Sequence, residues 1–216
     1  ACKELATLLL EAGADPNDSQ ALYNHMFTEG TSVLELLLKY GLSTNDRNNW
    51  LLEEDGKLVE HPEGTLFYQL RFAIDKHHVE RARILIDHGT QLEDIPETGQ
   101  SLYELALLRG HPDVADYLVE KGARKSEVSN IDQFVGAIAA GDKTVAQTLF
   151  DSDADLVRQT EEKYPSLVID AAALNQLDAV RTMADMGFSM DRLTHRAPLH
   201  EAAWSNHLEM VKLLIK

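Results

Sequence analysis

Asp151, Asp153, Asp155 and Glu162 stand at the first, third, fifth and twelfth places of a frame in which carboxylates could wrap a calcium ion. That chemistry needs glycine at the sixth place for a sharp bend, and Leu156 stands there, so the frame does not make a calcium loop. His61, His77, His78 and His88 offer imidazoles to a metal, but no thiolate pair accompanies them, since Cys2 is the single cysteine. The clusters Glu53-Glu54-Asp55 and Glu161-Glu162 could pair carboxylates for acid–base work; on loops such clusters are more often solvated surface. A Gly-rich phosphate loop, a Gly-x-Ser-x-Gly elbow and a cysteine in a recognisable histidine context are all absent from the sequence. The expectation is a chain with no catalytic residue, no metal and no cofactor.

Where these side chains sit is set by a unit that recurs along the chain. An apolar helix end followed by glycine or a substitute appears at Leu8-Leu9-Leu10-Glu11-Ala12-Gly13, Leu36-Leu37-Leu38-Lys39-Tyr40-Gly41 and Ile84-Leu85-Ile86-Asp87-His88-Gly89. It returns at Tyr117-Leu118-Val119-Glu120-Lys121-Gly122, Leu149-Phe150-Asp151-Ser152-Asp153 and Met183-Ala184-Asp185-Met186-Gly187. The separations are 28, 48, 33, 31 and 34 residues, so the later units keep a period near the roughly 33 of a helical repeat array. Glycine suits the left-handed residue that stops a helix. Upstream of the anchors, Val114 with Leu118, and Val211 with Leu214 and Ile215, form an apolar stripe at helical spacing. Small residues at Ala171-Ala172-Ala173 and Ala202-Ala203 let a second helix pack closely, which predicts two short antiparallel helices per unit.

The segment Ala197-Pro198-Leu199-His200-Glu201-Ala202-Ala203, followed by Asn206-His207-Leu208-Glu209-Met210-Val211-Lys212-Leu213-Leu214, closely resembles the ankyrin repeat. It departs from the family's Thr-Pro-Leu-His opening at Ala197, and Asn206 stands where the family prefers glycine before histidine. Gly110-His111 keeps the turn between helices, and His77-His78 lies at the same place in its unit. The resemblance implies an all-α ankyrin-repeat solenoid: stacked antiparallel helix pairs with projecting β-turn fingers. In its frame the chain is one domain, with a partial repeat over 1–17, a degenerate repeat over 18–45 and an insertion over 46–63. Repeats follow over 64–94, 95–127, 128–160 and 161–191, with a truncated repeat over 192–216, so the chain reads as a fragment of a longer array. The insertion places Asp55-Gly56 between runs containing Trp50, Leu51, Leu52, Leu58 and Val59, a hairpin signal that predicts one extended finger near 46–63. By the same resemblance His200 makes hydrogen bonds that tie down the turn.

For function, the resemblance implies a non-catalytic module or scaffold that binds a protein or peptide through its fingertips and concave helix surface. The alternative is a substrate-recruiting or regulatory segment of a larger enzyme whose catalytic domain lies outside this chain. The candidate contacts are Trp50 and Leu52 on the hairpin, then Glu97, Thr98, Gln100, Leu108 and Arg109, Glu162, Lys163 and Pro165, and Leu193, Thr194, Arg196, Trp204 and Ser205. Trp204 and Arg109 lead, because Trp, Tyr and Arg dominate binding energy at interfaces. A hydrophobic content of 44% with 26% charged residues over 216 residues supports a folded core. The net charge of −16 opposes a phosphate backbone and favours a protein partner of basic or mixed charge over nucleic acid. The longest apolar runs are far below the roughly 20 residues that span a bilayer, and Ala1 to Leu10 read as the inside of a helix rather than a leader. One cysteine in a chain of this size suits the cytoplasm or another reducing intracellular compartment.

Overall fold

In the computed structural model, described over residues 2–28, 30–43, 51–54, 56–60, 64–92 and 99–215, the repeat grammar becomes helix pairs. Helix α1 (Cys2–Glu11) is followed by the pair α2 (Ser19–Met26) and α3 (Ser32–Lys39). A hairpin comes next, β1 (Leu51–Glu54) and β2 (Lys57–Glu60), antiparallel with Leu52 opposite Val59. Two more pairs are α4 (Thr65–Asp75) with α5 (Val79–Asp87) and α6 (Leu102–Leu108) with α7 (Pro112–Glu120). After them come α8 (Asn130–Ala140), α9 (Lys143–Ser152), α10 (Leu156–Lys163), α11 (Leu167–Ala173), α12 (Leu177–Asp185), α13 (Pro198–Trp204) and α14 (Leu208–Leu214). The all-α architecture expected from the sequence is present, with the hairpin at the place of the insertion. Helix α10 is additional to the two helices per unit that the repeat pattern predicts.

Local chemistry sets these boundaries. Ser101 and Glu104 form a reciprocal cap at the start of α6, with Ser101 N donating to Glu104 Oε2 at 2.8 Å and Glu104 N donating to Ser101 Oγ at 3.2 Å. The side chains of Ser129, Asp142 and Asp18 each accept one backbone N–H at the starts of α8, α9 and α2. Between the helices of a pair the chain reverses through one left-handed residue: His77, Gly110, Gly141, Asn175 and Asn206 all have φ between 56° and 76°. Asparagine tolerates that conformation, so Asn206 performs the turn without the family's glycine.

The chain divides into two compact units, residues 1–106 with 113–126 and residues 107–112 with 127–216. In the first, Leu22, Met26, Leu34, Leu70, Ile74 and Leu85 are buried, and α1 packs on α3 and α2 on α4. One charged side chain joins them: Arg81 is fully buried, donates to Gln69 Oε1 at 2.9 Å and to the His25 carbonyl at 3.4 Å, and burial pushes its pKa down to about 10. Among the described residues no carboxylate pairs with it; its countercharge is the carbonyl end of α2, where helix dipoles favour cations. In the second unit, α11 packs on α13 and α12 on α14 around Phe134, Leu156, Ala172, Val180, Met183, Ala202 and Met210. The alanines let these helices approach closely.

Candidate functional site

The candidate contacts do not gather in one place. Trp50, Glu97 and Thr98 lie outside the described residues, and of Leu52 only its place on β1 is described. Gln100 is half-buried just before α6, and Arg109 is half-buried in the turn after it. Leu108, expected to face a ligand, is instead buried, because it lies on the core-facing side of the last turn of α6.

The candidate contacts Glu162 and Lys163 lie on α10, with Pro165 just beyond it. That helix forms because Asp153 and Asp155 at its start are met from within. Asp153 Oδ1 accepts from the Asp155 amide at 2.9 Å and Oδ2 accepts from Gln159 at 3.0 Å. Arg158 reaches back to Asp155 and forward to Glu162, the spacing at which side chains on a helix meet. The carboxylates of the apparent calcium frame therefore stabilise a helix. Lys163 Nζ reaches both oxygens of Asp132 on α8 at 2.7 and 2.8 Å, and Tyr164 Oη donates to the same carboxylate at 2.5 Å. Burial raises the Asp132 pKa, but hydrogen bonds from Lys163, Tyr164 and Ser129 outweigh it and hold the carboxyl below the usual range. Glu161 accepts from the Ser189 amide at 2.7 Å and pairs with Arg192 at 3.2 Å. Helix α10 is thus tied to α8 on one side and to the 188–192 segment on the other.

In the last helix pair Arg196 is held within its own unit, at 3.2 Å from Glu201 and 3.9 Å from Asp170. The Thr194 amide donates to the Arg196 carbonyl at 3.1 Å, closing the finger. Trp204 is 83% exposed, and Leu193, Leu199 and Leu208 near it in sequence are exposed as well, as is Ser205. His200, expected to tie down the turn, is exposed and stacks on Trp204 at 6.3 Å with an interplanar angle of 15°. The two residues are one helical turn apart on a face of α13 turned away from the core. The tie to the preceding repeat is made by His207, whose Nδ1 lies 3.3 Å from the Ala172 carbonyl.

One surface the sequence reading passed over lies in the first unit. Tyr23 meets Phe27 edge-on at 5.2 Å, and Phe27, 57% exposed, meets Phe72 edge-on at 5.5 Å. The spacing of Tyr23 and Phe27, four residues apart on α2, was the available signal; the join to Phe72 on α4 was not visible without the fold.

A family model described as ankyrin repeats (3 copies) matches residues 134–216. Among solved structures, the crystal structure of the human ASB11 ankyrin repeat domain aligns with 90% of this chain and 81% of that chain, at 20% sequence identity and a TM-score of 0.38. No curated protein sequence matches the chain. Residues 134–216, with their left-handed turns at Gly141, Asn175 and Asn206, are thus the part of the chain similar to ankyrin repeats.

Proposed function

We propose that this protein is a non-catalytic module that holds a protein or peptide partner, of basic or mixed charge, through its finger segments and the exposed faces of its first helices. Ankyrin repeats are in general protein–protein interaction modules. The observation that carries the reading here is Trp204, a large aromatic side chain left 83% exposed on a first helix, with Leu193 and Leu208 exposed on either side in sequence. Burying such a ring against a partner is the usual source of dominant contact energy. The overall charge of −16 supports a partner that brings cations, and among the described residues no helix is long and apolar enough to cross a membrane.

The test couples the chain to beads, identifies what it retains from an extract and measures affinity for that protein with Trp204→Ala. The expected result is a loss of about 30-fold in affinity, the scale of a hot-spot residue, with an unchanged melting temperature. Unchanged binding together with a lowered melting temperature would show that the ring serves the fold instead.

A further inference from the structure

The first unit contains an open cleft of about 790 Å³ between the loop after α5 and the loop after α7. Its lining includes Asp87, Thr90, Gln91, Lys121, Gly122 and Arg124. The backbone at its edges is already satisfied: Thr90 N donates to the Leu85 carbonyl at 3.3 Å and Ala123 N to the Leu118 carbonyl at 2.9 Å, which close the two helix ends. Side chains therefore set what the cleft can hold.

Among the described lining residues the one carboxylate, Asp87, is occupied. Asp87 Oδ1 accepts from Lys121 Nζ at 2.7 Å and from Tyr117 Oη at 2.5 Å, and those two bonds hold the Asp87 carboxyl below its ordinary range. Arg83 lies over the Tyr117 ring at 4.9 Å and pairs with Asp113 at 2.7 Å, so it is held alongside. Lys121, held by Asp87 and over the Tyr117 ring at 5.0 Å, has three N–H donors and does not spend them all on Asp87. Arg124 is exposed and has no hydrogen-bond or ion-pair partner among the described residues, and the same is true of Lys125 beside it. A cation directly after a helix is ordinary compensation for the helix dipole, which accounts for Lys121 after Glu120. That effect fades within a turn and does not account for Arg124 and Lys125. Among the described lining residues the cleft thus carries two cations, Lys121 and Arg124, against the one occupied carboxylate of Asp87.

We propose that the protein partner is of mixed charge and that this cleft receives the carboxylate side chains of an acidic stretch of it, with Arg124 as the main contact and Lys121 as a second donor held in place by Asp87. The proposal rests on the reading of the protein as a partner-binding module. A guanidinium presents two parallel N–H groups that match a carboxylate, which is why arginine suits this position.

The experiment titrates fluorescein-labelled hexaglutamate into the intact chain at low ionic strength, reads anisotropy, and maps backbone amide shifts by NMR. Saturable binding that weakens with added salt is expected, with shifts confined to residues 86–92 and 121–125. Arg124→Glu should weaken it at least fivefold, whereas Lys57→Glu, the same change of net charge on the hairpin, should leave it within twofold. Equal losses for the two variants, shifts elsewhere, or tighter binding of inorganic phosphate than of the peptide would overturn the proposal. The two readings separate cleanly. If the retained protein partner is lost with Trp204→Ala but kept with Arg124→Glu, the cleft fails and the binding module stands. If no protein is retained while hexaglutamate binds at the cleft, the module reading fails and the anion site stands.

Discussion

Gly136 sits in the middle of α8, where intrinsic preference alone would favour alanine by about 1 kcal/mol. The fold reverses that preference. A Cβ built at Gly136 would lie 2.5 Å from the Leu107 carbonyl oxygen and 3.2 Å from its carbon, both backbone atoms that cannot rotate out of the way. Relief requires α8 to move away from the end of α6, and α8 also carries Phe134, Val135, Ala137 and Ile138 into the core, so a shift disturbs several buried contacts at once. Overpacking of a well-filled interior costs about 1–3 kcal/mol, and a clash against backbone belongs at the upper end. Subtracting the propensity gain leaves Gly136→Ala destabilised by about 2 kcal/mol, or about 4–8 °C in melting temperature for a chain of this length. Urea denaturation followed by far-UV circular dichroism measures the change in midpoint. A variant as stable as the parent, or more so, would refute the reasoning, since it would mean that propensity outweighs the close approach.

Three further outcomes follow from the same contacts. Asp132→Asn weakens the tie between α10 and α8 and should cost about 1–2 kcal/mol at neutral pH, the range for hydrogen bonds to a charged group less what the amide retains. Because the folded Asp132 pKa lies below its unfolded value, its contribution is fully present above that unfolded value, near 4 for aspartate, and is lost as the pH falls through the lowered one. The gap between parent and variant should therefore shrink in acid; a gap independent of pH contradicts the assignment. Gln69→Leu removes the 2.9 Å acceptor of the buried Arg81 and should cost about 2–3 kcal/mol, while Gln69→Leu with Arg81→Met should cost less than the single change. Additive energies in that double-mutant cycle would mean the two side chains are not coupled.

Much of the architecture is local and was therefore legible. The anchors at Gly41, Gly89, Gly122 and Gly187 take positive φ as expected, and the Asp55-Gly56 signal lies at a hairpin whose strands are β1 and β2. The site was less legible, because exposure and pairing depend on neighbours distant in sequence. Leu108 and His200 each sit in a recognisable repeat position, yet the first is buried and the second stands on an outward face.

What the sequence by itself determined is the repeat: helix ends, left-handed turns, caps and the apolar stripe all act within a few residues, so composition and spacing suffice. Only the tertiary structure decided what each repeat presents. Lys163 and Tyr164 find Asp132 across 31 and 32 residues, Lys121 finds Asp87 across 34, and Arg81 finds the carbonyl end of α2 across 56. Those distances span one repeat or more, and a contact between stacked units exists only once the units have stacked.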